Sequence, residues 1–151
     1  MWLCQEGKEM NLQEMVTEFH RTFGFSMSEE PRMLNDSRFS RTIKWMKEEI
    51  DELETADNLV DQIDALTDLA YFIIGFFVTI GVDFETMFRI VHEANMRKAV
   101  KRVRYDDDGK IIKPVNWLPP ESEIAMEIDR VKAEIKRRRD VDDMDELLEK
   151  L

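Results

Sequence analysis

From Leu69 to Val82 the chain carries no charged side chain, and Asp68 and Asp83 bracket the run. A stretch of that kind must be covered by protein or lipid, and it is shorter than the roughly 20 residues a membrane-spanning helix needs. It reads as the buried half of a core helix, so the remaining elements have to supply its cover. Asp57 or Asn58 starts this helix, its first half is amphipathic, and Gly81 ends it.

The neighbouring segments have the right pattern to be that cover. Asn11 caps a first helix in which Leu12, Met15, Val16, Phe19 and Phe23 follow helical spacing up to a stop at Gly24. The aperiodic stretch from Phe25 to Asn35, with Pro31, reads as a loop. Asp36 or Ser37 then caps a second helix with Phe39, Ile43, Met46, Ile50 and Leu53 in one stripe. Asp83 caps a fourth, whose buried stripe is expected to be Phe84, Met87, Phe88 and Val91. Between Val100 and Pro120, an Asp108-Gly109 turn with short β-capable arms predicts a small hairpin or ordered loop. A final helix carries Ile124, Ile128, Val131 and Ile135, then Val141, Met144, Leu148 and Leu151, and the charged run at 136–140 leaves open whether it is continuous or broken near Arg139. It is expected to pack on the body or on another subunit.

With five Gly and four Pro in 151 residues there is little turn material for a many-stranded fold. The expected architecture is all-α: a four-helix-bundle-type core, a small loop or hairpin, and a C-terminal helix. One domain over 1–151 is expected, with a helical core at 11–98, the loop at 99–120 and the C-terminal extension at 121–151. A net charge of −11 argues against general affinity for nucleic acid or an anionic membrane, both of which demand a positive footprint. The single cysteine, Cys4, has no intramolecular partner, and the N-terminus lacks the basic, apolar, small-residue order of a secretory signal, so a cytoplasmic setting is expected.

Chemistry concentrates on the two central helices. Glu48 and Glu52 lie about 40° apart around the helix and Glu49 and Glu52 about 60° apart, so three carboxylates cover one side of a single turn. On the next helix Asp64 and Asp68 are again about 40° apart, with Asp61 near the same line. Antiparallel packing would bring both sets together, and an all-oxygen set suits Mg²⁺ or Mn²⁺. Acidic runs on amphipathic helices are usually just solvated. Here Asp68 leads directly into the most apolar segment, where a solubilising carboxylate is poorly placed, and Lys47 is the only evident cation for the first cluster. A di-iron site is disfavoured, because neither His20 nor His92 has Glu three residues before it.

Taken in order, Glu48-Glu49-x-x-Glu52, Asp64-Ala65-Leu66-Thr67-Asp68-Leu69-Ala70-Tyr71, Val91-His92-Glu93-Ala94-Asn95-Met96-Arg97-Lys98, and Asp108-Gly109-Lys110 with Lys113-Pro114 and Trp117 form one pattern. With Phe19-His20-Arg21 near the start, it resembles the all-α nucleoside triphosphate pyrophosphohydrolases, in the phosphoribosyl-ATP pyrophosphohydrolase-like, MazG-related branch. The family has Glu-x-x-Asp on the second acidic helix, whereas this chain has Ala65 three residues before Asp68. Asp64 is the natural replacement and Asp61 a further candidate.

The resemblance implies hydrolysis between the α and β phosphates of a nucleoside triphosphate. It implies Glu49, Glu52, Asp68 and Asp64 as ligands of Mg²⁺ or Mn²⁺, and Glu48 as a further ligand or the base that takes the proton of the attacking water. Asn95, Lys98 and Arg97 would hold phosphate oxygens, joined by Lys113 from the loop. It also implies a homodimer or higher homo-oligomer, with a four-helix core that draws on both subunits. Phosphoribosyl-ATP or dUTP specificity is the alternative within the enzyme class, and a helical interaction module without turnover the alternative outside it. Each residue also has a plainer reading. Arg97 and Lys98 suit the negative end of a helix dipole, His92 is a surface residue, Trp117 anchors its loop, and Phe19 belongs to the core.

Overall fold

The computed structural model describes residues 9–34 and 36–150, apart from the side chains at 147 and 149. Cys4, Asn35 and Leu151 lie outside the described residues. Helices α1 (Leu12–Phe23), α2 (Ser37–Thr55), α3 (Leu59–Ile80), α4 (Phe84–Met96) and α5 (Glu121–Glu149) follow one another. Among the described residues the sole extended pairing is an isolated antiparallel bridge between Tyr105 and Ile111. The chain divides into two compact units, Met1–Asp83 and Phe84–Leu151.

Local chemistry sets the helix ends. Asn11 and Glu14 form a reciprocal capping box on α1, Asp36 accepts from the Arg38 amide, and Asn58 accepts from the Asp61 amide. Gly24 and Gly81 close α1 and α3 in the left-handed conformation. At Gly81 a side chain has no room, since an added Cβ would lie 2.4 Å from the Glu30 carbonyl oxygen.

Within the first unit α3 runs antiparallel to both of its neighbours. Along α2 the ring pairs Phe39–Phe76 and Trp45–Phe72 define the direction. Along α1 it follows from Phe19 against Tyr71 and from Gln13 Nε2 donating to Val82 O. The loop after α1 straps the end of α3: Ser28 N donates to Val78 O and Arg32 N to Ile80 O. Carbonyls at the helix end are satisfied in this way, and Pro31 and Leu34 of the same loop are buried.

The core is narrower than the apolar stripes promised. In this unit Val16, Leu34, Ala65, Ile74 and Val78 are buried, and α2 contributes no fully buried residue. Helix α3 is apolar and long enough to cross a membrane by length and composition alone, yet here it packs against α1 and α2. Those two neighbours cover only part of its perimeter, so it is not enclosed as expected. Leu59, Ile63 and Leu66 stay 69%, 54% and 52% exposed at helical spacing on one side.

In the second unit Met87 and Ala94 are buried, whereas Phe88 and Val91, expected in the same stripe, are exposed. The turn at 106–109 is held by Asp106, whose carboxylate accepts from the amides of Asp108 and Lys110. Helix α5 passes Arg139 without a break. It contains neither Gly nor Pro, and Glu134 pairs with both Arg130 and Arg138 one turn away on either side.

Candidate functional site

The two acidic clusters do meet electrostatically. Continuing the register of Trp45–Phe72 by one turn brings Glu49 opposite Asp68. Glu49, half-buried, has its carboxyl held above the ordinary range, first by desolvation and then by the charges of Glu52, Asp68, Asp64 and Glu48. Five carboxylates from α2 and α3 therefore share one field. Among the described residues, Glu49, Glu52, Asp64 and Asp68 have no ion-pair partner. Glu48 does have one, and it is Lys44 Nζ at 3.0 Å rather than the expected Lys47.

Asp61 and Asp64 differ in their surroundings. Asp61 is drawn into the start of α3, where its Oδ2 accepts from Asn58 Nδ2 at 2.6 Å, and it does not appear among the charges acting on Glu49. Asp64 does act on Glu49. Ala65 is 3% exposed and belongs to the core.

The donors here are all oxygen, negatively charged and short of counter-charge, which fits a hard divalent cation. Among the described residues, however, no three Asp, Glu, His or Cys side chains converge closely enough to hold one as they stand.

The cationic candidates all lie in the second unit. Trp117 donates its indole N–H to Ala94 O at 2.6 Å, which fastens the loop to the end of α4. The same ring carries Lys98 Nζ at 5.2 Å and Lys113 Nζ at 4.5 Å from its centroid. Asn95 Oδ1 accepts from Lys98 Nζ at 2.7 Å. Two ammonium groups and an amide thus gather around one indole. Arg97 has different partners from its neighbours: it pairs with Glu123 at 2.9 Å and donates to Leu118 O, and its buried Nε lacks a partner among the described residues.

Sequence reasoning missed a cavity of about 560 Å³ in the first unit, lined by residues of α1, α2, α3 and the intervening loop. Its walls are aromatic. Trp45 stacks with Phe72 at 5.6 Å and Phe19 with Phe25 at 5.7 Å, so Phe19 forms cavity wall rather than core. His20 Nδ1 donates to Ser26 O, and Arg38 is tied to Asp36 and to Ser26 Oγ. Arg41 lies over Trp45. A signal was present, because Arg41, Trp45, Glu48 or Glu49, and Glu52 recur at steps of three and four along α2.

A family model described as phosphoribosyl-ATP pyrophosphohydrolase matches residues 16–95, just over half of the chain. The matched stretch contains both acidic clusters and the residues around the cavity, and it ends at Asn95, before Lys98 and Lys113. No curated protein matches the chain.

Proposed function

The chain belongs to the phosphoribosyl-ATP pyrophosphohydrolase family, within the MazG-like all-α pyrophosphohydrolases, and from that premise we propose that it splits a nucleoside triphosphate between the α and β phosphates. The products are the monophosphate and pyrophosphate, and the reaction depends on Mg²⁺ or Mn²⁺. One observation carries this reading: the charges of four other carboxylates act on Glu49, and Glu52, Asp64 and Asp68 lack any counter-ion among the described residues.

Glu49, Glu52, Asp64 and Asp68 are the residues that would hold the cation. When bound, the cation offsets the charge on the phosphate oxygens and makes a nearby water more acidic. Glu48, steadied by its ion pair with Lys44, would accept the proton of the attacking water. Lys98, Lys113 and Asn95 would hold phosphate oxygens, since the two ammonium groups gather over one indole with the Asn95 amide beside them. Arg97, engaged by Glu123, is better suited to positioning that cluster than to gripping phosphate.

A second reading takes phosphoribosyl-ATP as the substrate, and the description of the matching family favours it. The chemistry is the same, and only the base-side contacts differ. For the uncovered side of α3, bearing Leu59, Ile63 and Leu66, we propose a second copy of the chain as cover.

Both readings are tested by incubating the protein with Mg²⁺ and a panel of nucleoside triphosphates plus phosphoribosyl-ATP in heavy-oxygen water. Label in the monophosphate and none in pyrophosphate is the expected result. Release of orthophosphate, or label in the pyrophosphate, contradicts attack at the α phosphorus.

A further inference from the structure

We propose that the aromatic cavity between α1, α2 and α3 is the seat of the substrate's base, and that it selects a planar heteroaromatic ring presenting a carbonyl edge to Arg41. This deepens the pyrophosphohydrolase reading and rests on it.

Three observations lead there. The first is the shape and lining of the cavity: about 560 Å³ falls within the roughly 300–1,000 Å³ of small-molecule sites, and Phe19, Phe25, Trp45, Tyr71, Phe72 and Phe76 line it with no Val, Leu, Ile or Met among its residues. Trp45 and Phe72 stack with 26° between their planes, and Phe19 and Phe25 with 14°. A lining rich in stacked rings favours a flat π-system over an alkyl chain.

The second is the state of the polar groups. His20 has committed Nδ1 to Ser26 O, and Arg38 is committed to Asp36 and Ser26. Arg41 has only the face of Trp45, and among the described residues it has no ion pair. A guanidinium donates and never accepts, so what it can read at the cavity is an acceptor such as a ring carbonyl.

The third is continuity with the carboxylates. Trp45 stands one turn before Glu48 and Glu49 on α2, and Phe72 one turn beyond Asp68 on α3. The stacked pair is therefore both the wall of the cavity and the boundary of the acidic field. A ring seated against it has its sugar and phosphates carried toward Glu49 and Asp68 over about one helical turn of 5.4 Å, the scale of a pentose. Gly75 lies in the cavity lining beside His20, whose Nε2 an added Cβ would meet at 3.0 Å.

The test uses nucleosides, which have no phosphate, titrated calorimetrically into the full chain, with Arg41→Ala and Phe72→Ala as variants and circular dichroism as the check on folding. Arg41 is exposed, so its variant retains the fold even where Phe72→Ala does not. The expected result is binding that differs between carbonyl-bearing and carbonyl-free bases and that weakens roughly ten- to hundredfold in the variants. In a kinetic arm, the loss of kcat/KM in Arg41→Ala should be at least tenfold greater for nucleoside triphosphates than for inorganic triphosphate.

If nucleosides bind in this way but no anhydride is cleaved, the pyrophosphohydrolase reading falls and the cavity assignment stands. If anhydrides are cleaved but Arg41→Ala affects both substrates equally, the assignment is overturned while the activity stands. Binding of alkyl detergents in preference to every nucleoside also overturns it.

Discussion

Gly75 lets the packing behind the cavity be tested with numbers. It sits within α3 and needs no left-handed backbone, so alanine there should gain about 1 kcal/mol of helix propensity. The new Cβ would meet Val16 Cγ1 at 3.6 Å, an ordinary contact, and His20 Nε2 at 3.0 Å, which obliges the imidazole to move. That ring is anchored by its Nδ1–H donating to Ser26 O at 3.1 Å, a bond worth about 1 kcal/mol. The two terms nearly cancel, and Gly75→Ala in the wild-type background should change stability by less than about 0.5 kcal/mol. With His20→Ala already in place the clash is gone, and the same substitution should stabilise by about 1 kcal/mol. A double-mutant cycle by urea unfolding at fixed protein concentration should therefore yield a coupling near 1 kcal/mol. A full gain in both backgrounds, with no coupling, would refute the placement of His20 against Gly75.

Three further outcomes are expected. Asp64→Ala should weaken Mn²⁺ binding, followed by calorimetry, more than Asp61→Ala does, because Asp64 acts on Glu49 while Asp61 is bonded to Asn58; the reverse order would move the ligand back by one turn. In chelator, Glu49→Gln should stabilise the protein. The native carboxyl is raised above its usual 4.5, so its ionisation costs stability as pH rises through 4.5 and the folded value; the benefit should be present at neutral pH, vanish below 4.5, and a benefit that grows toward acid pH would show the sign to be wrong. Trp117→Phe removes the indole donor to Ala94 O and should cost about 1 kcal/mol while loosening Lys98 and Lys113, read as a raised KM for triphosphate substrates; an unchanged KM would separate Trp117 from that cluster.

Helix ends were legible in the sequence because the chemistry that makes them is local. Asn11, Asp36 and Asn58 bond amides two or three residues on, and Gly24 and Gly81 take a backbone conformation that other residues avoid. The juxtaposition of the acidic clusters was legible for a related reason: three residues, 56–58, join α2 to α3, so the helices must fold back antiparallel with Glu49 and Asp68 at the same level.

Burial was not legible. Whether Leu59, Phe88 or Val91 is covered depends on which neighbours exist, and an apolar stripe states only that cover is wanted. The cavity was missed because its rings come from α1, a loop, α2 and α3, and only the Arg41–Trp45–Glu49 spacing was visible within one segment. The pairing of Arg97 with Glu123 was not legible because the two lie far apart in sequence. Lys44 was overlooked in favour of the adjacent Lys47, although the step of four from Lys44 to Glu48 is the one that places two side chains on the same helix face.

The central claim is that carboxylates of α2 and α3 form a cation-dependent centre for cleaving a phosphoric anhydride. The most direct measurement is pyrophosphate release from the nucleotide panel with Mg²⁺, with Mn²⁺ and with chelator, for the wild type, Glu49→Gln and Asp68→Asn. The account predicts turnover only with cation, a loss of at least about a hundredfold in each variant, and unchanged helical content by circular dichroism. Turnover in chelator, or near-wild-type rates in both variants, would contradict it.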